Sequence, residues 1–229
     1  MAGAALILSG GYAHPFEQST AALAELIAAA GLAPRIVANV DEAIPQLAEK
    51  PALFAVNTLR WSMMQHEKYA PDRAEHAYAL PDAYMAAIAD YVAEGGTLFA
   101  LHVSVISFDN QPGWRSLLGG GWQWGISHHP PMDEMTVQLT AAGAAISGGA
   151  ERFRLVDEAY HRLDPAPDCD VLAHAASADG PQPLAWVRQY GAGRIAVNAL
   201  GHDGGSIRAA GHSALILGQL HWLLGGDNA

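Results

Sequence analysis

The sequence predicts an α/β domain: helices on both faces of a mainly parallel sheet, with antiparallel strands in its second half. Three observations predict it. Apolar runs such as Ala4–Leu8, Leu53–Asn57 and Thr97–Leu101 read as strands buried on both faces. Segments of helical period lie between them, and alternation at this spacing builds parallel strands joined by right-handed crossovers. Later, Tyr190-Gly191-Ala192-Gly193 separates two strand-like runs as a hairpin turn would, which makes its neighbours antiparallel.

Taken in order, Ala4–Leu8 stops at Ser9-Gly10-Gly11, where glycine lets backbone approach a ligand closely. Pro15 then suits a first helical turn, and Phe16, Leu23, Leu26, Ile27 and Ala30 keep a helical period until Gly31. Arg35–Val40 is a second strand, Asp41 an N-cap for a short helix through Glu49, and Leu53–Asn57 the third strand. Thr58–Leu80 has no period, and a connection of that length is usually functional. Asp82 or Pro81 starts a helix with Met85, Ile88, Ala89 and Val92 on one face, closed by Gly95-Gly96 before the Thr97–Leu101 strand. In the second half Gly119-Gly120-Gly121 opens a loop, and Met135–Leu139 alternates like a half-buried strand. Arg152–Val156, Val171–His174, Leu184–Gln189 and Arg194–Ala199 are further strands, and a helix from Ser213 to Leu224 ends the chain. Without repeat, linker or low-complexity tract, residues 1–229 are expected to form one domain.

Composition excludes several functions. Twelve basic against 23 acidic residues leave a net charge of −11, which repels phosphate backbones and anionic lipid, so neither nucleic acid nor membrane is an expected partner. A lone cysteine, Cys169, rules out disulfide scaffolds and cysteine-rich metal sites. With no basic leader before the short apolar run at the start, a cytoplasmic location is expected. Set against this, eleven histidines are conspicuous, since histidine binds metals and moves protons near neutral pH.

In open α/β sheets ligands bind at the carboxyl ends of the strands. His14, His102 and His202 each follow a predicted strand end. Gly11 belongs to the first glycine turn, but no GxGxxG follows, so no nucleotide cofactor is expected. Trp122 and Trp124 precede His128-His129-Pro130-Pro131, and indole faces stack on sugar rings. Asp157-Glu158-Ala159-Tyr160 follows the Arg152–Val156 strand, where paired acids supply a general base or a metal ligand. Asp203, between His202 and Gly204, either meets a ligand or caps a following turn. His66, His76, His161, His174 and His212 form no constellation by spacing, and one of the His128-His129 pair is expected to face solvent. The apolar last helix, with Leu215, Ile216, Leu220 and Leu223, is core or the surface of a homo-oligomer.

In this order, Gly10-Gly11-Tyr12-Ala13-His14, Gly95-Gly96-Thr97 through His102, Gly119-Gly120, His129-Pro130 and Asp157-Glu158-Ala159-Tyr160 form a pattern, with Ala185 through Arg194 and Ala199-Leu200-Gly201-His202-Asp203 completing it. It resembles the bacterial-type ThuA-like (trehalose utilisation) family over nearly the whole chain. The resemblance implies a flavodoxin-like, class I glutamine amidotransferase-like three-layer sandwich and a role in carbohydrate metabolism. Amidotransferases of that fold carry Gly-Xaa-Cys-Xaa-Gly on the turn after a central strand. Here that turn reads Ala100-Leu101-His102-Val103-Ser104, so glutaminase chemistry lacks its thiolate, and only Ser104 or the distant Cys169 could replace it. The family's His-Pro also gives way to Ala144-Ala145-Ile146.

Two readings follow. In the first, the protein is an enzyme acting on a sugar or keto-sugar by acid–base chemistry, hydrolysis or isomerisation. His102, Glu158 and His202 are then catalytic, and Gly11, His14, Trp122, Trp124, Asp157, Tyr160 and Asp203 bind the ligand. His102, His129, Glu158 and His202 are the candidate ligands for a divalent metal such as zinc. In the second, the same cleft is a non-catalytic sugar- or partner-binding module on a retired amidotransferase-like fold.

Overall fold

The structure, a computed structural model, describes residues 3–225. In the first half, β1 (Gly3–Gly11), α1 (Phe16–Ala29), β2 (Leu32–Val37), α2 (Val40–Ala43) and β3 (Leu53–Leu59) follow one another, with a 3-10 turn at Ile44–Glu49. After them come α3 (Arg73–His76), α4 (Asp82–Ala93), β4 (Thr97–Leu101) and α5 (Pro112–Leu118). The second half adds β5 (Asp133–Leu139), α6 (Ala141–Ile146), β6 (Arg152–Asp157), β7 (Asp170–Ala175), β8 (Gln182–Tyr190) and β9 (Gly193–Asn198). Two helices close it, α7 (Gly204–Arg208) and α8 (Ala210–Leu223).

The described strands form one sheet in the order β2-β1-β3-β4-β9-β8-β7-β5-β6. From β2 to β9 neighbours are parallel, and from β9 to β6 they are antiparallel. The Tyr190–Gly193 turn joins β8 to β9 antiparallel, as its glycines require. Alternate residues of each central strand feed opposite cores. Ala5, Ile7, Leu53, Ala55, Phe99 and Leu101 pack against α1 and α8. Leu6, Leu8, Phe54, Val56, Leu98 and Ala100 pack against α4 and α5. Leu215, Ile216 and Leu220 are fully buried, so the last helix is core and offers no oligomer surface through them. No helix among the described residues is long and apolar enough to cross a membrane.

Several elements depart from the sequence reading, each for a local reason. β1 does not stop at a glycine turn, because Gly10 and Gly11 continue its pairing opposite Thr58 and Leu59. Gly11 has φ +124°, and a Cβ there would lie 2.2 Å from the Leu59 carbonyl oxygen. Its glycine therefore serves strand contact, not approach to a ligand. The second strand starts and ends three residues early because Asn39 accepts a hydrogen bond from Asp41 N at 2.9 Å, making Asn39 the helix cap in place of Asp41. Residues 58–80 hold a 3-10 turn and the single-turn α3, pinned where Ser62 meets Asp109 and Arg73 donates to Met63 O. α5, α6 and α7 span five to seven residues, too few for a helical period to register. α8 starts at Ala210, three residues before the predicted Ser213.

Candidate functional site

At the end of β4 the chain turns sharply. His102 takes φ 47°, a left-handed conformation that costs a non-glycine residue about 1–3 kcal/mol and gathers at functional sites. Its ring is buried, with 1% exposure, and Nδ1 lies 2.9 Å from Ala199 O. A carbonyl only accepts, so Nδ1 carries a proton and Nε2 is the nitrogen turned to the site. Nε2 faces Tyr160 Oη at 3.2 Å and Glu158 Oε2 at 3.6 Å. Burial, then the charges of Glu158 and Asp157, push the Tyr160 hydroxyl well above its usual range. Tyr160 thus stays protonated and donates to His102.

Glu158 comes from the end of β6, four places from β9 across the sheet. The link that brings it in is Asp157. Buried to 1% exposure, its carboxylate accepts from Gly201 N at 2.7 Å, His202 N at 3.4 Å, Glu158 N at 2.7 Å and the Ser206 hydroxyl. It therefore ties the β6 end to the loop carrying His202. Glu158 Oε2 then lies 3.4 Å from His202 Nδ1, and its other oxygen 3.6 Å from His129 Nδ1. Burial opposes ionisation of Glu158, but contacts with His102 and His202 and the nearby His129 outweigh it, holding the carboxyl far below the usual carboxylate range. The same contact raises His202, against its burial.

His14 completes the group from the β1–α1 loop, where the preceding Ala13 is also left-handed at φ 52°. Its ring centroid lies 5.6 Å from that of His102 and 5.0 Å from that of His202. Nδ1 donates to Tyr12 O at 3.2 Å, leaving Nε2 as the free lone pair. Burial and then the neighbouring His102 lower its pKa to about 4. The unfolded chain thus takes a proton here that the folded protein resists. In metal-free protein this stability term is whole above about pH 6.5 and falls away as pH drops toward about 4. His14→Asn is expected to flatten that decline relative to the wild type, as chemical denaturation at a series of pH values will measure.

Ligating atoms of His14, His102, Glu158 and His202 all lie within 4.8 Å of one another. Three imidazoles and one carboxylate suit a zinc-class cation, and His202 Nδ1, buried 3.4 Å from Glu158 Oε2, is in geometry for no hydrogen bond among the described residues. His129, expected among the ligands, instead lies at the rim, its Nδ1 donating to Pro130 O at 2.9 Å; His14 takes its place.

Above this group opens a cleft of ≈ 430 Å³ walled by Trp61, Tyr69, Trp122, Trp124 and Tyr160. Trp61 stacks on Trp124 with centroids 6.3 Å apart, and Trp122 meets Tyr160 edge-on at 5.4 Å. The indole nitrogens of Trp61, Trp122 and Trp124 are buried and have no partner among the described residues. Trp61, Lys68 and Tyr69 come from the aperiodic 58–80 stretch, and spacing alone could not have brought them to the histidines.

Other expected residues lie elsewhere. Asp203 caps α7, its carboxylate accepting from Ser206 N at 2.8 Å, so it is spent on the backbone, as is Gly11. Asp157 orients the His202 loop and does not line the cleft. His212, which forms no constellation by spacing, is buried with Nδ1 2.9 Å from Ser206 O and Nε2 3.2 Å from Asn198 Oδ1, extending the Asp157 network. Ser104 is buried, donating to Val56 O at 2.6 Å and accepting from Thr58 N at 3.3 Å. Cys169 lies 3.6 Å from Gly119 O, and burial pushes its thiol up. Neither lines the cleft or meets a histidine, so neither stands in for the missing thiolate. A separate apolar hollow of ≈ 630 Å³, between Ile44–Ala52 and α4, is lined by no histidine.

A family model, ThuA, described by trehalose utilisation, matches residues 4–223. No curated protein matches the sequence. Among solved structures, a ThuA-like protein from Parabacteroides merdae superposes with TM-score 0.78 at 17% identity, covering 99% of this chain and 91% of that one. One from Bacteroides uniformis gives 0.68 at 15%, covering 96% and 90%. A Bacillus circulans β-galactosidase gives 0.59 at 13%, covering 97% of this chain and 30% of its own. At these identities the likeness is one of fold.

Proposed function

The chain belongs to the ThuA (trehalose utilisation) family, and from that premise we propose that it is an enzyme of carbohydrate metabolism acting on a sugar or keto-sugar by metal-assisted acid–base chemistry. One observation carries the reading: ligating atoms of His14, His102, Glu158 and His202 converge within 4.8 Å beneath a cleft walled by Trp61, Trp122, Trp124 and Tyr160. Aromatic walls above a polar floor suit a ring that is apolar on its faces and hydroxylated at its edge. A retired binding module has no need to hold so many ionisable groups at one point.

The four side chains would hold a zinc-class divalent cation, which when bound supplies Lewis acidity toward a carbonyl or hydroxyl oxygen. The protein's own groups divide the remaining work. Glu158, a carboxylate far below the usual range, is a weak base and serves as ligand and charge anchor. His202 is raised above its ordinary value by its contact with Glu158, so of the group it is the one that takes up a proton wherever the cation does not hold its Nδ1. Tyr160, 3.2 Å from His102 Nε2, would give up that nitrogen to the cation and keep its hydroxyl as a donor beside it. A histidine at the β4 turn and a half-buried, remote Cys169 leave glutaminase chemistry without a nucleophile. The finer assignment of the fold to the flavodoxin-like, amidotransferase-like sandwich belongs to the same reading.

The test is metal analysis of protein prepared without a histidine tag, followed by NMR of keto-sugars and keto-glycosides in D2O with the metal-loaded protein. Expected are about one equivalent of metal in this group and either deuterium exchange next to the carbonyl or cleavage, both lost in His202→Gln. Bound sugar with neither exchange nor cleavage would leave the binding-module reading in its place.

A further inference from the structure

Outside the cleft, a second group of metal-ligating side chains is built at the surface. We propose that His128, His161 and Asp179 form a peripheral site for a divalent cation of the zinc, nickel or copper class, which clamps the loop bearing Trp122, Trp124 and His129 to the segment that follows Glu158.

One ligand atom from each of the three residues lies within 4.8 Å of the other two. His128 and His161 face each other across an antiparallel bridge, with His161 N donating to His128 O at 2.8 Å and ring centroids 4.7 Å apart. His161 Nδ1 is buried and has no hydrogen-bond partner among the described residues. Two imidazoles tilted 50° to each other gain little from the contact, whereas a shared cation satisfies both lone pairs.

The third ligand is held in place independently. Gln182 Nε2 donates to Gly180 O at 3.0 Å and Ser177 Oγ at 3.2 Å, while its Oε1 accepts from Arg162 N at 3.0 Å. That amide locks the 177–182 turn, and so Asp179, onto the residue after His161. Arg162 also meets Asp179 at 3.5 Å, but both side chains are exposed and such a pair contributes little. Two imidazoles and a carboxylate suit the borderline cations and not magnesium or calcium, which take oxygen ligands.

The consequence follows from sequence adjacency. His129, next to His128, reaches Glu158, and Tyr160, next to His161, reaches His102. A cation across His128 and His161 would therefore fix both approaches to the cleft without entering it.

The experiment titrates metal-free, untagged full-length protein with Zn2+ or Ni2+ by calorimetry. The His128→Gln/His161→Gln variant is expected to bind one equivalent fewer than wild type, and His14→Gln/His202→Gln to keep that peripheral equivalent. Asp179→Asn, an exposed change, is expected to weaken it by roughly tenfold or more, a check that does not depend on the double variant folding. Hydrogen exchange of residues 126–129 and 159–162 should slow on adding Zn2+ to wild type but not to His128→Gln/His161→Gln. Equal stoichiometry and affinity in wild type, His128→Gln/His161→Gln and Asp179→Asn overturn the proposal, whatever the inner group binds.

Discussion

Glu158→Gln is expected to lower turnover by at least about 10–100-fold, the loss seen for even an outer partner of a metal site, while leaving the protein folded. Glu158 is the one carboxylate among the inner ligands His14, His102 and His202. Glutamine keeps the shape but removes the charge and turns a donating amide toward imidazoles that need an acceptor or a cation. Metal affinity should fall by at least about 10–100-fold. A second readout separates this from simple misfolding. The contact with Glu158 raises His202, so NMR titration of Glu158→Gln should show the His202 midpoint moving down. That raised pKa gives stability fully present below the ordinary histidine pKa and lost as pH rises through the folded value. The variant should therefore lose more stability at mildly acidic pH than at pH 8. Unchanged metal content together with an unmoved His202 midpoint would remove Glu158 from the site.

What the sequence made legible, and what it hid, has a physical basis. Buried parallel strands announce themselves, since Leu53–Asn57 and Thr97–Leu101 are apolar on both faces, and parallel strand ends are where loops converge. His102, His202 and Glu158 could thus be placed near one another before any contact was known. His129 is expected among the metal ligands and His14 only beside them, and the structure exchanges the two, because each sits in an irregular loop. Which one enters is decided by Tyr12 O holding His14 from one side and Pro130 O drawing His129 to the rim. The Trp61 wall was hidden for a similar reason: residues 58–80 are placed by long-range bonds to Asp109 and Tyr12, which leave no periodic trace. His161 looked isolated because its partners, His128 and Asp179, lie 33 residues before and 18 after it.

The left-handed turn at His102 joins fold to site. A nucleophile elbow uses such a turn to present its side chain above a sheet, and here the same presentation is given to an imidazole. Strain of this size persists only where surroundings hold it, as Ala199 O and Tyr160 do.

Asp157→Ala is expected to be the most destabilising single change in the site region, by about 3–5 kcal/mol, because four donors lose a buried charged acceptor at once. For a chain of this length that lowers Tm by roughly 6–20 °C, measurable by thermal denaturation. The donors are Glu158 N, Gly201 N, His202 N and the Ser206 hydroxyl. Ser206 continues through His212 to Asn198 and Gln219, so damage should spread into the packing of α8 on β9. Asp157→Asn distinguishes charge from shape: its amide nitrogen meets donors, so it should fall between alanine and wild type. At a temperature where the asparagine variant is folded, it should still bind the inner metal more weakly, since Gly201, left-handed at φ +113°, would lose the anchor that sets the His202 loop. A variant melting within about 2 °C of wild type, the scale of a neutral surface change, would mean that β6 reaches the histidines without Asp157. In that case the position of Glu158 would have to come from the sheet edge alone, which the four-strand separation of β6 from β9 makes physically implausible.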